Sequence, residues 1–213
     1  MSLVQPHEPV LVLCAHPDDE IGCGGYVNLL SERGNIIHYV YLSTCSESTQ
    51  ALGFEPQQLI QECKQSCKIL GIKEENILGY NFPVRHFPQH RQGILEELVK
   101  LRTQIKPRLV IVPCREDIHQ DHATLAAEAL RAFKHSNIIG YEFPWNLMSS
   151  HLDLLIRLEQ RHIHTKLSAW KCYKTQSSRI YHDPRVLESL ARIRGVQANV
   201  EFAESYEIMR MVI

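Results

Sequence analysis

No stretch of this 213-residue chain approaches the run of about 20 apolar residues that a membrane-spanning helix needs. Charge of one sign is not in excess either. The 23 Lys and Arg residues face 24 Asp and Glu, a net charge of −1, so the basic face that nucleic-acid binding requires is missing. No block of like charge marks an interaction tail. The opening MSLVQPHEPV lacks the basic segment and apolar core of a secretory signal. The cysteines number seven, an odd count that does not suit a closed disulfide framework. Cys63 and Cys67 stand in a CxxxC spacing, but the second pair that a zinc knuckle wants is absent. Buried free thiols in the reducing cytoplasm are therefore expected. Repeats, low-complexity segments and a convincing linker are lacking too, so residues 1–213 read as one domain.

What is present is an alternation. Short β-rich runs at 10–15, 36–43, 76–79, 109–113 and 138–143 are separated by helical patterns at 22–33, 56–70, 92–105 and 121–133. Gly34, Gly71 and Pro107 act as stop signals. Beyond Pro144 the rhythm loosens, and we read a strand at 152–158, helices at 162–173 and 184–197, and a last strand at 207–212. The pattern predicts an α/β fold, a Rossmann-like three-layer sandwich with a mostly parallel central sheet plus C-terminal strands and helices. In such sheets ligands bind beyond the carboxyl ends of the strands. That rule gathers three turns: 16–20 after the first strand, 44–48 after the second, and 115–122 after LVIVP.

Two of these turns are crowded with ligating residues. CAHPDDE offers His16, Asp18, Asp19 and Glu20; CREDIHQDH offers Glu116, Asp117, His119, Asp121 and His122. Three consecutive acids at the end of a buried strand are costly unless a cation sits among them. Two histidines and one carboxylate make a catalytic zinc set when a fourth position stays open, and the same set suits ferrous iron. A second carboxylate can take a proton from water, and a facing histidine can stabilise an oxyanion or protonate a leaving amine.

AHPDDEIGCGG, followed much later by DIHQDH, resembles the LmbE-like deacetylases, also called the PIG-L family. KLSAWKCYKTQ and RIYHDPRVLESLARIRGVQANVEFAESYE resemble that family's C-terminal stretches, so the likeness covers most of the chain. The resemblance implies a zinc-dependent N-deacetylase acting on N-acetylglucosamine-type sugars or their conjugates. It implies His16, Asp19 and His122 as metal ligands, with Zn2+ or another divalent ion such as Fe2+. Asp18 becomes the general base, His119 the oxyanion stabiliser or acid, and Asp121 the residue that orients it. The implied partner is a small N-acetyl sugar or sugar conjugate, with room left for a homo-oligomer. Leu59 stands where the family often has an arginine that helps bind substrate. Arg85 and Arg91 are then the candidates for supplying positive charge to the substrate.

Plainer roles attach to other residues. Glu20 reads as a supporting acid, and Asp117 as a residue that fixes its turn. Gly22, Gly24 and Gly25 imitate a dinucleotide fingerprint, but the acids before them would repel a pyrophosphate; close helix–sheet packing is the better reading. Pro88 argues against His86 and His90 forming a helical metal pair, so they are surface or rim residues. His162 and His164 are expected to be solvated. Trp145 and Trp170 are core residues or sugar-stacking platforms. A nucleotide-cofactor enzyme on the same sheet, and a non-catalytic sugar-binding relative, are the competing functions.

Overall fold

The computed structural model describes residues 3–149 and 151–212. The first half alternates as the sequence suggests: β1 (Pro9–Cys14), α1 (Gly24–Glu32), β2 (Ile36–Tyr41), α2 (Ser46–Ala51), α3 (Gln58–Leu70), β3 (Ile77–Gly79), α4 (Arg91–Ile105), β4 (Leu109–Pro113), α5 (Gln120–Ala132) and β5 (Asn137–Tyr141). The chain then adds β6 (Leu154–Leu158), α6 (Gln160–Trp170), α7 (Pro184–Gln197) and β7 (Phe202–Arg210). Gly71 adopts φ +87° at the end of α3, a left-handed stop that favours glycine.

The seven strands form one sheet in the order β3-β2-β1-β4-β5-β7-β6. The first five are parallel; β7 pairs antiparallel with both β5 and β6. Alternation along β1 feeds two cores. Val10, Val12 and Cys14 join residues of α1, α3 and α6, while Leu11 and Leu13 join those of α4 and α5. Both faces of the sheet are thus covered, which is why its strands read as continuous apolar runs.

Three expectations are corrected. The last strand begins at Phe202 rather than 207, because Glu204, Ser205 and Glu207 are buried polar residues inside it that read as loop. Residues 46–51 form a short helix that the apolar pattern does not mark. His162 is buried, not solvated: it closes a reciprocal cap with Glu159 and contacts Glu32 at 3.1 Å, whereas His164 is exposed. The close-packing role of the glycines holds. A Cβ on Gly22 would meet the Tyr141 ring at 2.5 Å, and one on Gly25 would meet Leu158 at 2.6 Å.

Strand order turns around at β1: one crossover leads to β2, and a later one returns to β4 on the opposite side. The crevice between the carboxyl ends of β1 and β4 is the switch point where open α/β sheets bind ligands. Both acid-rich turns emerge there.

Candidate metal centre

β1 ends at Cys14, and the chain bends through His16–Asp18 into a short 3-10 turn over Asp19–Cys23. The His16 backbone N–H donates to Asp19 Oδ2 at 2.8 Å, which folds the carboxylate back over the strand end. β4 ends at Pro113, and the second turn enters α5. There the His119 ring caps the helix: its Nδ1 accepts from the Asp121 backbone N–H at 3.2 Å. That bond leaves His119 Nε2 as the protonated nitrogen.

Three donor atoms from the two turns meet closely. His16 Nδ1 and His122 Nε2 are 3.2 Å apart, and Asp19 Oδ2 is 3.5 Å and 3.3 Å from them respectively. Zinc bonds of about 2.0–2.1 Å in a tetrahedron require donors spaced roughly 3.3–3.4 Å apart. The triangle therefore fits one face of a tetrahedral divalent site. His119 stands nearby, and one nitrogen from each of His16, His119 and His122 lies within 4.8 Å of the others. We favour the carboxylate over His119 as the third donor, because Asp19 completes the tighter triangle.

The far nitrogen of each inner imidazole is held by an acid. His16 Nε2 contacts Asp121 Oδ2 at 3.1 Å, and His122 Nδ1 contacts Asp117 Oδ2 at 2.7 Å. Such contacts put the ring proton on the far side and turn a lone pair to the centre. Here the geometry departs from expectation. The Asp121 carboxylate orients His16, not His119, because it is anchored under His16 by the backbone N–H groups of Arg85 (2.6 Å) and Phe87 (3.2 Å). Asp117 does more than fix its turn; it also receives the His119 backbone N–H at 2.8 Å. The His16–Asp121 pairing has no local sequence signal, since the two are 105 residues apart, whereas His122 and Asp117 lie within one turn.

The electrostatics follow this packing. Burial would lower the His16 imidazole, but the Asp19 charge and the bonds from Asp121 and Asp19 outweigh it and lift it to about 9. His122 behaves likewise, reaching about 10 against the same burial because of Asp19 and Asp117. Asp19 is held well below the carboxylate range, since the two imidazoles overcome its burial. Asp18 moves the other way, up to about 6, through burial and then the neighbouring Asp19 charge. Burial, followed by the two adjacent imidazoles, depresses His119 to about 4 and keeps it neutral. Two adjacent aspartates are thus driven apart, one locked ionised and one poised near neutrality.

A cavity of about 370 Å³ opens on this group. Asp18, His119, Arg85, Trp145, Arg179 and Tyr181 line it together with the inner residues. Arg91 is not on its wall; its guanidinium is 2.6 Å from Glu128, a fully buried acid on α5 that needs a cation. Arg179 lines the cavity instead; it opens the RIYHDPR stretch that resembles the family's C-terminal segment, a resemblance that does not mark it as a substrate residue. Trp145 stacks on Phe143 (5.0 Å) and on Tyr181 (4.4 Å), forming an aromatic wall. His86 is exposed and His90 half-buried, and neither lines the cavity. No helix among the described residues is long and apolar enough to cross a membrane.

The C-terminal likeness resolves into structure. Lys166 lies buried 2.6 Å from Glu204, and Glu204 also accepts the backbone N–H groups of Gly25 (2.9 Å) and Tyr26 (2.8 Å) at the start of α1. Glu62 accepts from the Lys174 and Thr175 backbone and from the Thr175 hydroxyl.

Comparison with known proteins gives consistent matches. A family model described as GlcNAc-PI de-N-acetylase (PIG-L) matches residues 11–133. "Uncharacterized deacetylase YaiS" of Escherichia coli K12 is 25% identical over 180 residues, covering 82% of this chain and 95% of that protein. Among solved structures, N,N'-diacetylchitobiose deacetylase from Pyrococcus horikoshii superposes with a TM-score of 0.78 at 21% identity, over 98% of this chain and 87% of that one. GalB, the 4-carboxy-2-hydroxymuconate hydratase of Pseudomonas putida, reaches 0.79 at 19% identity, over 97% and 98%. The fold alone therefore does not choose the reaction.

Proposed function

The chain belongs to the PIG-L family, and from that premise we propose that it is a metal-dependent hydrolase that removes the N-acetyl group from an amino sugar or sugar conjugate. The observation that carries the reading is the donor triangle of His16, Asp19 and His122, with sides of 3.2–3.5 Å, beside a free carboxyl at Asp18. A family model described as a de-N-acetylase and a 25% identical relative named a deacetylase favour amide hydrolysis over the hydratase chemistry of GalB.

In this reading His16, Asp19 and His122 hold the metal. Zinc suits two imidazoles and a carboxylate, and ferrous iron is second. When bound, the ion polarises the amide carbonyl and acidifies water. Asp18 takes the proton from the attacking water; its carboxyl faces the cavity beside the donor triangle. His119, neutral with its proton on Nε2, donates that N–H to the developing oxyanion, and the proton that Asp18 took from water passes to the departing amine. Asp121 and Asp117 fix the two ligand imidazoles. Arg85 and Arg179 meet the sugar or its substituent at the cavity wall. Acetate and a free amine leave, with one water consumed. We read the whole chain as one deacetylase domain, and its free cysteines suit a reducing cytoplasm.

The test is metal analysis of the purified protein combined with a panel of N-acetyl sugars scored for acetate and new primary amine. One metal ion per chain and matched release of both products is expected. Metal-free protein that turns over at the same rate would exclude the reading.

A further inference from the structure

Beneath the acid-rich turn lies a closed group of hydroxyls that no step above uses. The Pro17 carbonyl, immediately before Asp18, accepts from the Tyr39 hydroxyl at 3.0 Å and from the Tyr173 hydroxyl at 2.8 Å. The same two oxygens stand 3.3 Å and 2.5 Å from the Glu20 carboxyl, which also takes the Ser66 hydroxyl at 2.5 Å. All four side chains are sealed from solvent. They come from the first turn, β2, α3 and the segment after α6.

The Asp18–Asp19 pair is therefore gripped at both ends, by its preceding carbonyl and its following side chain, through the same two phenols. One turn before Ser66 on α3, Glu62 holds the backbone of Lys174 and Thr175, next to Tyr173. The helix thus fixes both the carboxyl and the phenol that meets it. A buried acid with no cation beside it is an expensive way to fill space. A saturated polar cluster instead defines one geometry.

We propose that Glu20 and Tyr173, with Tyr39, are positioning residues that set the angle at which Asp18 and Asp19 face the cavity. This inference rests on the reading of His16, Asp19 and His122 as metal ligands. It extends the centre into the segment beyond residue 133, where the family match ends.

The experiment uses the full chain with Tyr173→Phe, Glu20→Gln and Glu20→Leu, and with Tyr41→Phe as the control on the neighbouring inward position of β2. Cobalt-substituted protein is examined by visible absorption, zinc affinity by chelator competition, and kcat and KM separately, with Tm as the check on folding. Tyr173→Phe is expected to shift the cobalt bands and to lower kcat or metal affinity about tenfold, with KM within about twofold. Glu20→Gln, which keeps hydrogen-bonding capacity, should stay nearer the parent than Glu20→Leu. Tyr41→Phe should match the parent throughout. Parental cobalt bands, affinity and kcat in Tyr173→Phe would overturn the inference while leaving the metal centre intact, as would losses that merely track the unfolded fraction. If Glu20→Leu does not fold, Tyr173→Phe and Ser66→Ala decide. A parent protein that takes up neither cobalt nor zinc would remove the underlying reading itself.

Discussion

Two buried acid centres sit on the first helix and its approach, and they are built oppositely. Around Glu204 every group is answered within the protein: Lys166 supplies the cation, Gly25 and Tyr26 supply backbone donors, and Tyr206 adds a hydroxyl at 2.7 Å. Around Asp19 one nitrogen from each of two imidazoles converges with its Oδ2 on a shared point, and the adjacent Asp18 carboxyl faces a cavity. The first centre is complete and locks the start of α1. The second opens on a cavity, and in the reading proposed above a divalent ion completes it. Buried charge by itself does not mark a functional site; a converging set that opens on a cavity does.

The sharpest way to break this comparison is at the open centre. Asp18→Asn should retain metal and lose about 10²–10⁴-fold in kcat, measured by acetate release with metal content determined in parallel. His122→Ala should lose both metal and turnover. At the closed centre the outcome should invert. Glu204→Ala leaves Lys166 buried and unpaired and should cost about 3–5 kcal/mol of stability by denaturant unfolding, while the folded fraction keeps parental KM.

Acidity separates the centres next. In the metal-free protein the folded-state values of His16 and His122, about 9 and about 10, lie above the usual 6.5. Their protonated forms therefore contribute stability that is full below about pH 6.5 and is lost as pH rises through 9 to 10. Tm of the metal-free protein should fall across that window, and bound zinc should flatten the fall. Since the ion displaces those protons, zinc binding near pH 7 should release about two protons in calorimetry across buffers. A flat metal-free profile would contradict the assignment.

The smallest expected effects concern the arginines. Arg85→Ala should raise KM a few-fold, about 1 kcal/mol of binding at an exposed site. Arg91→Ala should leave KM unchanged and show only as a modest loss of Tm, since its partner Glu128 keeps Arg131.

The parallel half of the fold is legible in the sequence because LVLC and LVIVP are buried throughout, IIHYVYLS is buried over most of its length, and all end in turn residues. The two acid-rich turns are legible because the carboxyl ends of neighbouring parallel strands must converge. Pairings across the chain are not. Nothing near Asp121 announces that it holds His16, nor near Tyr173 that it reaches Pro17 and Glu20, because each bond depends on how α3, α5 and the C-terminal segment pack. The early start of β7 is hidden for a related reason. Its acids are buried on partners contributed by α1, α6 and the turn after β4, with Glu204 on Gly25, Tyr26 and Lys166 and Glu207 on Arg115, so local composition suggests an exposed loop.

The aromatic wall has a practical consequence. The chain has two tryptophans, and both border the same cavity. Its tryptophan emission therefore originates beside that cavity, with Trp145 stacked on Tyr181 as a built-in optical probe. Titrating unlabelled sugars against that glow, without any turnover, gives a direct search for what the chamber holds.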